Sequence, residues 1–382
     1  MTRWAILTGE YPPEPGGVSD YTRLVAEALA AAGDAVTVYA PPGEPLADAQ
    51  GVSVVRLPDH FGPRGLLALD HAIARRPRPD CVLVQYVPHA FGSKAMNVPF
   101  TAWVALRARQ LAPVWVMFHE VAFPFAWRPA KYALLGSVNN LMARLLAGAA
   151  DRVLVSVPGW EPHLRRVCPK VRRPEWLPVP CNVGTAADPT DVAAVRCRYA
   201  AEPDTQLVGH FGTYAPHLAD VLTRALAELL SRRPRVRVLL LGRNSDRCRD
   251  AFASREPALA HRVHATGELP PDRLPAHLRA CDLLIQPYPD GVSSRRTSVM
   301  AGLANGVPVV TNLGPLSEGV WAHGAVALAP ACDPHALAER AAHLLADVPA
   351  RCGTGEKGQA LYRDTFTLAR TVDALRRFER ET

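Results

Sequence analysis

Two adjacent arginines, Arg295 and Arg296, lie in the segment of the chain best suited to bind an anion. They follow the apolar run 283–286, and a helix-like segment and a second apolar run, 307–311, come after them. Strand, polar loop, helix and strand make a βαβ unit whose loop opens onto a helix N-terminus. Backbone N–H groups, the helix dipole and two guanidiniums converge there, which predicts a phosphate or diphosphate site. The alternative is a solvated surface pair.

Polar side chains flank this arginine pair on both sides. The same loop carries three hydroxyl residues, Ser293, Ser294 and Thr297. Glu318 follows the run 307–311. Its carboxylate could accept hydrogen bonds from sugar or ribose hydroxyls, or could merely cap the next helix.

Glycine-containing loops follow three other predicted strands. Gly16 and Gly17 stand between the first strand and the first helix, where they would let a ligand approach the backbone closely. Gly212 and Thr213 follow the first strand of the second half, and Arg243 follows the next. Each signal is weak alone, because a tight strand-to-helix turn uses glycine without any ligand. None is a G-x-G-x-x-G fingerprint, which disfavours a nicotinamide site.

His119 ends the apolar run 114–118 and is followed by Glu120. An imidazole at the carboxyl end of a strand could exchange a proton or hydrogen bond with a reacting hydroxyl near neutral pH. The other interpretation is a histidine that only satisfies the backbone. The neighbouring acid favours the functional role.

Several common chemistries lack their motifs in this sequence. No Asp-x-Asp, His-Glu-x-x-His, G-x-S-x-G or P-loop pattern occurs. We therefore expect no catalytic metal and no bound cofactor. Serine hydrolase and P-loop kinase chemistry likewise lose their main support.

Bulk composition is that of an ordinary globular protein. The 382 residues are 48% hydrophobic and 21% charged with a formal charge of +7, and no nucleic-acid-binding motif occurs. Eight scattered cysteines, the lack of a signal peptide and the lack of a spanning apolar stretch predict a cytoplasmic protein. The helix-like segment 132–146 is interpreted as core. The alternative is a lipid-facing patch, which would place the protein peripherally on a membrane.

Apolar runs alternate with helical patterns in both halves of the chain. The predicted strands are 4–8, 36–39, 52–57, 81–85, 114–118, 152–157, 207–211, 236–241, 263–265, 283–286 and 307–311. Strands separated by helices predict an α/β fold with two doubly wound, Rossmann-like domains facing a cleft. The Pro-rich segment 178–189 separates domain 1–184 from domain 185–365, and a final helix at about 366–382 would pack back on the first.

The chain resembles GT-B glycosyltransferases of the family-four type over nearly its full length. The matching stretches are Tyr11–Val18, His119, Pro178–Val183, His264–Gly267, Leu274–Leu278, Ala280–Pro287, Gly302–Val310, Gly314–Val320 and Leu361–Phe366. The resemblance implies a retaining, metal-independent enzyme with a nucleotide-sugar donor, UDP- or GDP-linked, and an acceptor domain at the N-terminus. It places Gly16 and Gly17 near the donor diphosphate, His119 near the transferred sugar and Glu318 near the ribose or sugar.

Two departures from the family pattern concern charge. The family's two glutamates, which have seven residues between them, align with Ser293 and Ala301, and its arginine and lysine are replaced within 214–218. Arg295 and Arg296 would take over the phosphate charge.

The sequence thus predicts glycosyl transfer, with retention, to an acceptor hydroxyl of a saccharide, a lipid-linked sugar or a small molecule. Arg295 and Arg296 would stabilise the leaving diphosphate, and that phosphate would accept the acceptor's proton on the same face. The alternatives are a GT-B sugar-nucleotide epimerase and a catalytically silent nucleotide-sugar-binding protein.

Overall fold

A computed structural model of the chain describes residues 1–44, 51–122 and 130–381. The chain divides into two compact units. Unit 1 comprises Met1–Val179 and Leu368–Thr382, and unit 2 comprises Pro180–Thr367.

Unit 1 contains a seven-stranded parallel sheet in the order β3-β2-β1-β4-β5-β6-β7. The strands are β1 (Arg3–Thr8), β2 (Ala35–Ala40), β3 (Val52–Arg56), β4 (Cys81–Tyr86), β5 (Val114–Phe118), β6 (Arg152–Val155) and β7 (Glu175–Trp176). The α-helices between them are α1 (Gly17–Ala31), α2 (Pro63–Ala74), α3 (Val98–Trp103), α4 (Arg109–Leu111), α5 (Ala130–Ala149) and α6 (Glu161–Val167).

Both faces of this sheet are covered, because alternate residues of β1 enter two different cores. Trp4 and Ile6 pack on the side of α1, whereas Ala5 and Leu7 join the core beneath α3 and α5. Burial on both faces explains why β4 and β5 are apolar runs rather than alternating patterns.

Unit 2 contains a six-stranded parallel sheet in the order β10-β9-β8-β11-β12-β13. The strands are β8 (Gln206–Phe211), β9 (Val236–Leu241), β10 (Val263–Ala265), β11 (Leu283–Gln286), β12 (Val309–Asn312) and β13 (Ala327–Ala329). The α-helices are α7 (Pro189–Tyr199), α8 (Pro216–Arg232), α9 (Ser245–Arg255), α10 (Leu274–Arg279), α11 (Thr297–Ala304), α12 (Pro334–Ala346) and α13 (Val348–Leu361). The strand order repeats that of the first six strands of unit 1.

The last helix, α14 (Leu368–Arg380), belongs to unit 1 although 188 residues of unit 2 precede it. Val372, Leu375 and Phe378 enter the core on the side of α1. The guanidinium of Arg152 on β6 lies 4.5 Å from the Phe378 ring centroid, and its Nη2 donates to the Phe378 carbonyl at 3.3 Å.

The predicted α/β fold with two doubly wound, Rossmann-like sheets is confirmed. The eleven predicted strands all form, with ends shifted by at most two residues. The run 307–311 begins its strand only at Val309, because Pro308 has no N–H for a ladder. The short edge strands β7 and β13 went unpredicted, since two or three residues are too few to show a pattern.

The segment 132–146 lies in α5, which has one buried and one exposed face. Met142 and Leu146 enter the core, as predicted, whereas Leu134 and Leu141 are exposed. No helix among the described residues has the length and apolar character needed to cross a membrane.

Candidate functional site

In each unit the candidate residues follow the strands at the point where the strand order reverses or the strands next to it. In parallel sheets the loops at the carboxyl ends of the strands on either side of this point diverge, and ligands bind there. In unit 1 this point lies between β1 and β4, and in unit 2 between β8 and β11.

In unit 2, the loop between β11 and α11 carries the arginine pair. Both guanidiniums bond one carboxylate, because Nη2 of Arg295 donates to Oδ2 of Asp290 and Nη2 of Arg296 donates to Oδ1. The side chains are only 18% and 27% exposed, so this is a half-buried cluster rather than a solvated surface pair. Although burial alone would raise the pKa of the Asp290 carboxyl, the two guanidiniums outweigh it and lower that pKa.

Tyr288 holds the second guanidinium from its other side. Its ring centroid lies 4.7 Å from Cζ of Arg296, a cation–π distance. The Tyr288 hydroxyl is 2.6 Å from Oγ of Ser298 in the first turn of α11. Burial raises the pKa of this phenol to about 12, so the hydroxyl keeps its proton.

Polar atoms of this loop also remain without partners. Within the described part of the chain, neither the buried Oγ of Ser293 nor the buried Nε of Arg296 has a hydrogen-bond partner. Arg296 occupies the N-cap position of α11, which begins at Thr297, and its side chain does not cap the helix. Unmet buried polar atoms beside an uncapped helix start are what an anionic ligand would satisfy.

Glu318 is fully engaged within the protein. Its Oε1 accepts from the N–H of Ser294 at 2.9 Å and from the Ser294 hydroxyl. Its Oε2 accepts from the indole N–H of the buried Trp321 at 2.7 Å. The carboxylate therefore fixes the arginine loop to the chain that follows β12, a structural role that the sequence did not suggest.

The glycine loops after β8 and β9 pack against each other. Gly242 has a positive φ of 105°, and a Cβ there would lie 2.5 Å from the Gly212 carbonyl oxygen. Thr213 is exposed and accepts a bond from Asn244 through its carbonyl. Backbone packing alone thus explains why position 242 requires a glycine.

The side chain of Arg243 pairs with a residue outside its own loop. It forms two hydrogen bonds with Glu268, at 3.0 and 3.2 Å, and both side chains are more than half exposed. This solvated pair gives no sign of a ligand contact.

In unit 1, Gly16 and Gly17 begin α1, but an internal carboxylate occupies this helix end. Oε1 of Glu10 accepts from the N–H groups of Val18 and Ser19, both at 3.0 Å. A Cβ on Gly16 would lie 2.5 Å from that oxygen, whereas a Cβ on Gly17 would meet nothing within 4 Å. In this structure the N–H groups that could bind a phosphate are bonded to Glu10.

His119 lies immediately after β5 and is almost completely buried. Its Nε2 pairs with Oε1 of Gln85 on β4 at 2.8 Å, and its ring meets the edge of Tyr21 from α1 at 4.8 Å. Burial lowers the pKa of this imidazole to about 3, so the ring is neutral at physiological pH. It can offer a hydrogen bond, but it cannot supply a charge.

The structure thus groups the predicted residues into separate clusters. In unit 1, Tyr21 brings the start of α1 next to His119. In unit 2, residues 293–297 and Glu318 form one cluster with Asp290. Asp290, Gln85 and Glu10 were missed by the sequence reasoning. Only Asp290 had a local signal, as an acidic residue in the same loop as the arginine pair.

Two family models match successive parts of the chain. The model described as "Glycosyl transferase 4-like domain" matches residues 16–182, and the model described as "Glycosyl transferases group 1" matches residues 205–347. The chain belongs to the family-four GT-B glycosyltransferases. Comparison with the curated proteins gave no match.

Solved structures with the same fold cover this glycosyltransferase over essentially its whole length. Sucrose-phosphate synthase from Thermosynechococcus elongatus is 19% identical with a TM-score of 0.75, covering 99% of this chain and 98% of its own. A glycosyltransferase from Rickettsia africae is 16% identical with a TM-score of 0.73, covering 100% and 99%. Anabaena HepE in complex with UDP is 17% identical with a TM-score of 0.72, covering 100% of both.

Proposed function

We propose that this glycosyltransferase moves a sugar from a UDP- or GDP-linked donor to an acceptor hydroxyl, with retention and without a metal ion. The observation that carries the proposal is the half-buried arginine pair on the loop between β11 and α11. Unit 2 binds the donor diphosphate there, and unit 1 binds the acceptor, a saccharide, a lipid-linked sugar or a small molecule. The neighbour HepE, solved with UDP, supports a nucleotide-linked donor.

The arginine loop supplies the positive charge that the leaving group requires. When the anomeric carbon–oxygen bond breaks, negative charge accumulates on the diphosphate, and Arg295, Arg296 and the N–H groups at the start of α11 stabilise it. The Oγ of Ser293 and Nε of Arg296 gain the partner that they lack. Ser294 and Thr297 complete the loop, and Glu318 holds it in place.

The electron pair of the broken bond leaves with the diphosphate, and the acceptor oxygen supplies the pair for the new bond. The acceptor oxygen forms the new bond on the face that the diphosphate leaves, and its proton passes to the departing phosphate oxygen. Neutral His119 donates a hydrogen bond to the transferred sugar or accepts one from it, but it holds no charge at physiological pH. Gly16, Gly17, Gly212, Thr213 and Arg243 are secondary contacts in this proposal. Among the described residues, no group of three His, Cys, Asp or Glu could hold a metal ion.

Purified protein incubated with labelled UDP-, GDP- and ADP-sugars in EDTA tests this proposal. We expect slow hydrolysis or transfer whose first product keeps the donor's anomeric configuration, as read by NMR. An inverted product, or a requirement for metal, contradicts the mechanism. Isomerised nucleotide sugar would identify an epimerase, and tight binding without turnover would identify a silent binding protein.

Replacing Arg295 and Arg296 by alanine should weaken donor binding or turnover by roughly tenfold or more. Because this leaves Asp290 without its counterions, the triple variant with Asp290→Asn is measured beside it. The matched control is Arg172→Ala with Arg173→Ala, an adjacent and exposed pair in unit 1. Unchanged donor kinetics in the triple variant would remove the pair from the site.

A further inference from the structure

Asp290 is the shared counterion of the arginine pair. Each of its carboxylate oxygens accepts from a different guanidinium, so one negative charge balances two positive charges. Arg295, Arg296 and Asp290 together therefore carry a net charge of +1 before any ligand arrives.

Backbone packing fixes Asp290 in this position. Its carbonyl accepts from the N–H of Leu316 at 3.0 Å. Gly291, with φ of 85°, lies so close to the next loop that a Cβ would come within 2.3 Å of the Gly314 nitrogen. The backbones of the two loops pack so closely here that no side chain fits between them. The backbone next to Asp290 therefore cannot move without separating the two loops.

A fixed carboxylate beside a diphosphate site acts differently on substrate and product. Once the proton taken from the acceptor has passed to solvent, the nucleoside diphosphate product carries one more negative charge than the diphosphate of the donor, since the bond to the sugar has been lost. Coulomb repulsion from a fixed negative charge grows with the charge of the ligand. Asp290 therefore opposes product binding more strongly than donor binding.

We propose that Asp290 is a positioning residue of the donor site that holds both guanidiniums and promotes release of the nucleoside diphosphate. This inference rests on the proposed function, because it requires the diphosphate to bind at the arginine pair. A residue that only stabilised the fold would weaken binding when removed. Loss of the Asp290 charge should instead strengthen binding of the product.

Calorimetric titration of the full chain with UDP, GDP, ADP and inorganic pyrophosphate tests this inference. Asp290→Asn should bind the preferred nucleoside diphosphate tighter than wild type by roughly fivefold or more, with a steeper loss of affinity as salt rises. Asp290→Ala, which places no amide hydrogens against the guanidiniums, should show the same gain. Asp290→Glu, which keeps the charge, should return the affinity towards the wild-type value.

Asp204→Asn is the matched control, because it removes an aspartate paired with Arg235 in the same unit. Asp204 precedes β8 and therefore lies at the amino ends of the strands, away from the loops at their carboxyl ends, so nucleotide affinity should stay unchanged. If wild type binds the probes and both Asp290→Asn and Asp290→Ala bind them equally or more weakly, the inference is wrong and the proposed function stands. If wild type binds none of the probes, the donor site itself is rejected, and the inference with it.

Discussion

Ser294 donates both its backbone N–H and its hydroxyl to a single oxygen of Glu318. This contact joins the loop after β11 to the chain after β12, and the second Glu318 oxygen bonds the indole of Trp321. The position of the arginine pair therefore depends on a carboxylate that need not touch the ligand.

Glu318→Ala should destabilise unit 2 by ~2–3 kcal/mol, because it leaves the buried Trp321 N–H and the Ser294 N–H unpaired. Glu318→Gln, which keeps one carbonyl acceptor, should lose less. Urea unfolding followed by tryptophan fluorescence measures this, since Trp321 is the only tryptophan between residues 180 and 367. Equal stability of wild type and Glu318→Ala would contradict the structural role.

The adjacent glycines at the start of α1 should respond differently to the same substitution. Gly16→Ala displaces the Glu10 carboxylate from its two N–H donors and should cost ~1 kcal/mol. Gly17→Ala meets open space at the first helical position and should be neutral or slightly stabilising. Thermal unfolding of both variants checks this. In a Glu10→Ala background, the loss of stability caused by Gly16→Ala should largely disappear.

His119 should contribute a hydrogen bond rather than a proton to catalysis. With its pKa lowered to about 3 by burial, it stays neutral from pH 5 to 8. His119→Ala should reduce kcat/KM roughly tenfold, the value of one ordinary hydrogen bond, and leave the shape of the pH–rate profile unchanged. Profiles of both proteins over this range decide the point. An inflection near pH 6.5 that vanishes in the variant would show that the imidazole titrates.

His210, near the end of β8, is buried with both ring nitrogens lacking hydrogen-bond partners among the described residues. Burial lowers the pKa of its imidazole to about 3. In the unfolded chain, by contrast, the ring binds a proton below about pH 6.5. The unfolded state therefore holds more protons between these values, and stability is lost as the pH falls through this window.

His210→Leu should accordingly stabilise unit 2 by ~1–2 kcal/mol at pH 7, since it removes two unsatisfied polar atoms. The gain should grow by up to ~1.4 kcal/mol for each pH unit below 6.5. Denaturant titrations at pH 7 and pH 5 measure both effects. A variant less stable than wild type at pH 5 would show that this imidazole has a stabilising role.

Much of the fold was predictable because its signal is local. A parallel sheet covered on both faces needs runs such as Val114–Phe118, which are apolar throughout. Arg295 and Arg296 were predictable for the same reason, since they lie in the loop that follows such a run. The strand β7 was not, because Glu175 and Trp176 form a two-residue edge strand.

Contacts within the candidate sites were less accessible to sequence reasoning. Gln85 and His119 are 34 residues apart and meet only because β4 and β5 are neighbours in the sheet. Glu10 looks like an ordinary loop acid until the chain turns back and places it at the start of α1. In the sequence, the arginine pair suggested an anion site with no internal counterion. In the structure, both guanidiniums bond the carboxylate of Asp290.

The position of α14 has a consequence for how the protein is made on the ribosome. The side chains Leu375 and Phe378 complete a core whose other members, such as Trp4 and Trp115, are translated first. Unit 2 is a continuous stretch of chain and can fold as it emerges, whereas unit 1 must wait for the last helix. Until then the nascent N-terminal half displays an unfinished apolar surface, which is the kind of surface that chaperones bind.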